Sequence, residues 1–159
     1  MATLDALHGH SAWKPIVRDT ARFHGATGFQ SAHLTREIGD ISRTILQREV
    51  CASDGALKIE VHRLDAGDFI ALHTDEGVCE LRIVTFLGHD WKPSDGGFLV
   101  FPDRGNVRKT ICISPIHNTA VAFLTGRATE HGVSEVSSGS RYSIVGRLPV
   151  RFRNGPSQS

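Results

Sequence analysis

Over residues 33–49 (HLTREIGDISRTILQRE) apolar positions recur at spacings of three and four, with Leu34, Ile38, Ile41, Ile45 and Leu46 forming one stripe. That is the period of an amphipathic helix. Gly39 weakens this helix without ending it. Ser53-Asp54-Gly55 reads as a turn. From Leu57 the period drops to two: Leu57, Ile59 and Val61 alternate with Lys58, Glu60 and His62, as on a strand with one buried face. A turn at Asp65-Ala66-Gly67-Asp68 leads into the short apolar run Phe69 to His73, which a Glu76-Gly77 turn closes. Leu81 to Leu87 (LRIVTFL) is rich in β-branched residues and reads as a buried strand. Ser94-Asp95-Gly96-Gly97 punctuates, Phe98 to Phe101 resumes, and a polar, basic loop runs from Asp103 to Lys109. Thr110–Ser114, Thr119–Leu124, Gly132–Val136 and Arg141–Leu148 complete the pattern. About eight short strands separated by turn signals predict a mainly-β sandwich or barrel, with the helix packing its stripe on the outside of one sheet. The segment before the helix is read as irregular, and residues 151–159 (RFRNGPSQS) as a flexible tail.

Composition narrows the class. A chain of 159 residues holds one domain with a real core, here residues 1–150, and is short for two. Apolar residues make up 40% and charged residues 22%, as in a globular protein. A net charge of +1 gives no broad pull toward nucleic acid or membrane. No apolar run reaches the ~18 residues that a spanning helix requires. The opening MATLDALHGHSAWKPIV carries Asp5 early and lacks an apolar stretch of secretory length, so no signal peptide is expected. Cys51, Cys79 and Cys112 are odd in number and widely spaced, which fits a reducing, cytoplasmic setting better than a disulfide framework.

Candidate chemistry lies at His73, Asp75 and His131. Two imidazoles and one carboxylate can hold one face of a ferrous ion and leave its other positions open. Chance alone supplies about half of one His-x-Asp triplet in a chain of this composition, so placement matters more than occurrence. Residues i and i+2 of a strand point the same way, so His73 and Asp75 face one space at the end of an apolar run. A third ligand must come from another strand. His8, His10 and His24 lie in the irregular N-terminal part, His33 begins the helix, His62 sits on the polar face with Lys58 and Glu60, and His89 lies in a turn. His117 and His131 both adjoin strand-like segments, and spacing does not separate them.

Four segments, taken in order, resemble the iron(II)/2-oxoglutarate-dependent oxygenases of the prolyl-4-hydroxylase-like branch. They are VHRLDAGDFIALHTDEG, LRIVTFLGHDWKPSDGGFLVFP, HNTAVAFLTGRATEHGVSEV and GSRYSIVGRL. The resemblance runs from about Leu57 to Leu148 and implies a double-stranded β-helix, or jelly roll, over residues 57–148, with residues 1–56 as helical support. It places His131, not His117, as the distal ligand, so His73, Asp75 and His131 become the metal ligands and catalytic residues. It also implies that Arg141 pairs with the distal carboxylate of 2-oxoglutarate, a role that suits a planar guanidinium, with the Ser143 hydroxyl beside it. Some relatives place tyrosines where this chain has Leu64 and Phe86. Trp91 and Gly96-Gly97 read as a packed indole and a tight turn.

The resemblance further implies iron(II), 2-oxoglutarate and dioxygen as cofactor and co-substrates, and hydroxylation of an unactivated C–H bond. Related halogenases have a small residue at the position of Asp75; its carboxylate favours hydroxylation, or desaturation or cyclisation, over halogenation. A small molecule, such as an amino acid or biosynthetic intermediate, is the first expectation for the substrate. A protein side chain such as proline is the second, with Asp103–Asn118 as the only sizeable peptide clasp. A third expectation, from another class, is a non-catalytic cupin-like barrel that binds metal or ligand, although the closely spaced histidines and following glutamate of that motif are absent at His73. Arg82, Arg104, Arg108 and Lys109 are read first as solvated loop or edge residues and second as contacts for a substrate carboxylate.

Overall fold

The computed structural model describes residues 13–18, 21–26, 36–40, 42, 44, 50–52, 57–75, 79–88 and 90–152. In chain order the strands are β1 (Trp13–Arg18), β2 (Ala21–Ala26), β3 (Val50–Ala52), β4 (Lys58–Asp65), β5 (Phe69–His73), β6 (Glu80–Leu87), β7 (Leu99–Phe101), β8 (Ile111–Ile113), β9 (Thr119–Leu124), β10 (His131–Val133) and β11 (Ser140–Phe152). They form one antiparallel sheet in the order β8-β7-β10-β5-β2-β4-β11-β6-β9, with β1 added on β2 and β3 on β11.

Strands from the two ends of that path touch through their side chains. Leu99 and Val133, from β7 and β10, share a core with Leu64, Val84, Phe86 and Val145, from β4, β6 and β11. A sheet whose distant strands share one core has rolled over on itself, and this is the jelly roll expected. Strand β2 turns the corner of the roll. Its first residues, Ala21 and Arg22, pair with Ile70 and Phe69 of β5, and its last, His24 to Ala26, pair with Arg63, His62 and Val61 of β4.

A second core covers the outside of the roll. Residues 36–40, 42 and 44 are helical, and Ile38 is buried there with Val61, Leu81, Ile83, Ile144 and Val150. A Cβ at Gly146 of β11 would lie 2.6 Å from Cγ2 of Ile38, so the absent side chain is what lets helix and strand approach. The helix therefore packs on the outer sheet face as its stripe predicts; Leu34, Ile41, Ile45 and Leu46 lie outside the described residues.

The structure corrects three expectations. The segment preceding the helix contains the β1–β2 hairpin, and β2 is an integral strand, not irregular support. Arg151 and Phe152 belong to β11, where they pair with Cys51 and Val50 of β3, so the tail begins later than residue 151. The segment 103–118, expected as a peptide-clasping loop, contains a 3-10 turn at Val107–Lys109 and β8, the strand expected at Thr110–Ser114, which pairs with β7 along Leu99–Phe101. The turns expected at residues 53–55 and 76–77 lie outside the described residues. No helix among the described residues is long and apolar enough to cross a membrane.

Candidate active site

The β5–β10 ladder makes His73 and His131 direct partners, and their rings stand 4.5 Å apart between centroids. Asp75 follows two residues after His73, just beyond the end of β5. His131 Nε2 lies 3.6 Å from Asp75 Oδ2, and His73 Nε2 lies 3.9 Å from Asp75 Oδ1. One ligand atom from each of the three residues falls within 4.8 Å of the other two. His117 is not in this cluster; its Nδ1 accepts from the Gly88 amide at 3.2 Å.

Backbone carbonyls set the imidazole tautomers. His73 Nδ1 lies 2.9 Å from the Ala71 carbonyl, and His131 Nδ1 lies 3.2 Å from the Thr129 carbonyl. A carbonyl only accepts, so each Nδ1 carries the proton and each Nε2 turns its lone pair toward the other ligands, that of His131 also accepting from Arg82 Nη1 at 3.2 Å. Burial, reinforced by the neighbouring His73 and Arg82, holds the His131 imidazole below its ordinary pKa, so it stays neutral. Asp75 Oδ2 is buried with no hydrogen-bond partner. Two imidazole nitrogens beside an unsatisfied carboxylate oxygen are the donor set that a divalent transition metal requires, and an orphaned buried acceptor of this kind calls for a partner. The residues therefore fit the ferrous ion that the sequence resemblance implies.

A second cluster, His24, Asp65 and Asp68, differs. There Arg63 Nη2 lies 3.0 Å from Asp65 Oδ2 and Arg22 Nε lies 3.6 Å from Asp68 Oδ1. Asp68 Oδ2 also accepts from the Asp65 amide, so these carboxylates are already answered by the protein.

Arg141 begins the inward face of β11 and is 5% exposed. Burial pushes its guanidinium down to about 10, still well above neutrality, so the charge persists. No carboxylate among the described residues pairs with it. Its Nη1 donates to Ser143 Oγ at 3.2 Å, and its guanidinium lies 5.1 Å from the centre of the Phe86 ring. A buried cation paired only with a hydroxyl and an aromatic face is a costly arrangement unless an anion completes it. Phe86 therefore supplies a cation–π contact where some relatives supply a tyrosine. Leu64 is fully buried in the core.

One cavity of about 490 Å³ joins these groups: His73, Asp75, His131, Arg141 and Ser143 all line it. Sequence reasoning missed four more residues there. Glu60 and His62 face the cavity, not solvent, because the helix covers the apolar face of β4. Arg82 is not solvated: its side chain is 13% exposed, with Nη2 3.0 Å from Asp75 Oδ1 and Nη1 donating to His131 Nε2 at 3.2 Å. Arg147 faces inward too, as the alternation from Arg141 through Ser143 and Val145 demands; that signal was present in the sequence. Arg104 keeps the expected surface position, where it pairs with Glu130.

Comparison with known proteins follows the same lines. Residues 59–147 match the family model described as the 2OG-Fe(II) oxygenase superfamily. No sequence among curated proteins matches the chain. Among solved structures, a prolyl-4-hydroxylase from Pseudomonas putida superposes with a TM-score of 0.73 at 20% identity, over 94% of this chain and 83% of that one. A prolyl hydroxylase from Trichoplax adhaerens, in complex with a hypoxia-inducible-factor peptide fragment, gives 0.70 at 17% identity, over 93% and 75%. A viral collagen prolyl hydroxylase from Paramecium bursaria Chlorella virus-1, in complex with 2OG, gives 0.68 at 17% identity, over 94% and 87%. At these identities the likeness is one of fold.

Proposed function

Because this chain belongs to the 2OG-Fe(II) oxygenase superfamily, whose members use iron(II), 2-oxoglutarate and dioxygen, we propose that it hydroxylates an unactivated C–H bond of a small molecule. In this reading His73, Asp75 and His131 hold the iron, and Arg141 with Ser143 holds the distal carboxylate of 2-oxoglutarate. The observation that carries it is the convergence on one cavity of an unsatisfied Asp75 oxygen, two Nε2 nitrogens whose rings are anchored through Nδ1, and a buried guanidinium that no carboxylate among the described residues pairs with.

When bound, iron and 2-oxoglutarate supply the oxidation: one atom of dioxygen goes into succinate as carbon dioxide leaves, and the other enters the substrate C–H bond to give an alcohol. The protein's share is placement and shielding. Ala71 and Thr129 carbonyls keep both imidazoles in the ligating tautomer. Arg82 braces Asp75 Oδ1 while Oδ2 faces the imidazoles. The fork of Arg141 fixes the co-substrate's far end, and the wall of Val84, Leu99, Phe123 and Val133 limits water around the reacting centre.

A second reading, hydroxylation of a prolyl or other protein side chain, draws support from the structural neighbours, which are named as prolyl hydroxylases, one of them with a peptide. A small substrate is the first reading because part of the segment that would have to clasp a peptide is tied into the sheet, Ile111–Ile113 pairing with β7.

Anaerobic addition of iron(II) and 2-oxoglutarate should produce a weak visible charge-transfer band, whereas a binding barrel without this chemistry gives none. Asp75→Ala should abolish substrate-dependent succinate release; unchanged turnover would remove the triad assignment. Arg141→Ala should raise the 2-oxoglutarate requirement far more than the iron requirement, since losing one partner of a buried charge pair costs about 2–5 kcal/mol.

A further inference from the structure

The cavity carries charges for which iron and 2-oxoglutarate do not account. Arg147 points inward from β11 six residues beyond Arg141, about 20 Å along the strand, so the two guanidiniums stand at opposite ends of one face. The register partner of Arg147 on β6 is Arg82, which also lines the cavity. Like charges directly opposite on neighbouring strands destabilise a sheet. Glu80 lies between them, its Oε2 accepting from Arg147 Nε at 2.9 Å and standing 3.8 Å from Arg82 Nη2. Glu60 Oε1 accepts from Arg147 Nη1 at 3.1 Å. Glu60 is firmly anionic, because a hydrogen bond from His62 and the charge of Arg147 outweigh partial burial and hold its carboxyl down to about 2.

Among the described residues the charged side chains lining the cavity are Arg18, Arg82, Arg141 and Arg147 against Glu60 and Asp75, with Glu80 behind them. A ferrous ion, Asp75, Arg141 and a 2-oxoglutarate dianion sum to zero. Among the described residues three arginines and two glutamates remain, a net charge of +1. Arg147 is clamped by two carboxylates and still 28% exposed, so its fork is held in place with donor positions open. An apolar substrate would shield the open N–H groups of Arg147 from water without replacing their hydrogen bonds, at a desolvation cost; a carboxylate would accept from them.

We propose that Arg147, held by Glu60 and Glu80, is a specificity-determining residue that binds the free carboxylate of a small substrate. This rests on the oxygenase reading above and names its substrate class. Free α-amino acids and simple carboxylic acids share that chemistry; an ammonium group would in addition meet Glu60.

The test is succinate release by the iron(II)-loaded enzyme against free α-amino acids, simple carboxylic acids, methyl esters of both, and end-capped prolyl peptides. Stimulation by free acids but not by their esters is the expected result. A preference for amino acids over simple acids that disappears in Glu60→Gln identifies the zwitterion as the source of the carboxylate. Arg147→Lys keeps a cation beside Glu80 but removes the planar fork; it should raise the KM for the acid about tenfold or more, while the 2-oxoglutarate requirement moves less than threefold. The double variant Arg147→Met/Glu80→Met removes the charge without leaving Glu80 unpaired, a replacement that folds often tolerate, and it should lose the response to acids. Esters or capped peptides acting as well as free acids, no free acid acting at all, or an unaltered acid KM in the variants would each overturn the proposal. The anaerobic band separates the two failures: with the band present the oxygenase reading stands alone, and without it both fall.

Discussion

A Cβ at Gly97 would lie 2.9 Å from Cδ of Arg141, and the residue has φ +70°, a conformation that a side chain resists. The sequence pattern makes Gly96-Gly97 a tight turn, and the turn is there, with the Trp91 indole donating to the Gly96 carbonyl at 3.0 Å. What the pattern does not reveal is that Gly97 also leaves room for the stem of the buried arginine. Gly97→Ala should therefore move Arg141 and weaken 2-oxoglutarate binding about tenfold, as the loss of a well-placed charge contact would. Titration of the anaerobic charge-transfer band reads this directly. Glu60 offers a second prediction. Its carboxyl is depressed in the folded state, so its contribution to stability is complete above the ordinary glutamate pKa of about 4.5. It is lost as pH falls from there toward about 2. Glu60→Gln should show a shallower loss of stability than the parent across that window in urea melts at a series of pH values. Because the group is partly exposed, solvent screening keeps the difference small.

At the scale of elements, β11 carries most of the site. Its inward face presents Arg141, Ser143, Val145 and Arg147, and its outward face presents Ile144 and Gly146 to the helix. The close approach of Ile38 to Gly146 predicts that Gly146→Ala overpacks this contact and costs about 1–3 kcal/mol. That loss should be visible as a lower thermal midpoint, with the metal ligands untouched. Period-two alternation located β4, β-branched content located β6, and the turn signals between them located β9 and β11. The alternation misjudged which face of β4 was interior: the helix buries Ile59 and Val61 from outside, while the polar face lines the cavity. It also missed β1 and β2. WKPIVR contains a proline, which an added strand tolerates, and ARFHGA has no alternation, because β2 bends between two partners at the corner of the roll.

At the scale of the whole molecule, the roll brings two distant strand ends together, and a bound ion would tie them. Any ligand that binds only the folded state adds stability by mass action, about 2.7 kcal/mol at a hundredfold excess over its Kd. Cobalt(II), as a redox-stable stand-in for iron, should raise the thermal midpoint of the native chain, and Asp75→Ala should abolish that shift. An equal shift in both proteins would mean that the ion binds elsewhere.

The order of turns and the strand periods were legible in the chain, because burial and turn chemistry act on near neighbours, and they were enough for a mainly-β sandwich or barrel. The set His73, Asp75, His131 and Arg141, and the jelly-roll oxygenases as the family, followed from the resemblance of four ordered segments, since spacing left His117 and His131 undecided. The pairing of His73 with His131, the opposition of Arg82 and Arg147, and the space that Gly97 leaves for Arg141 are set by register between strands far apart in sequence. Register follows from how the sheet closes on itself, so these contacts arise only once the two cores are packed, and with them the charges that line the cavity.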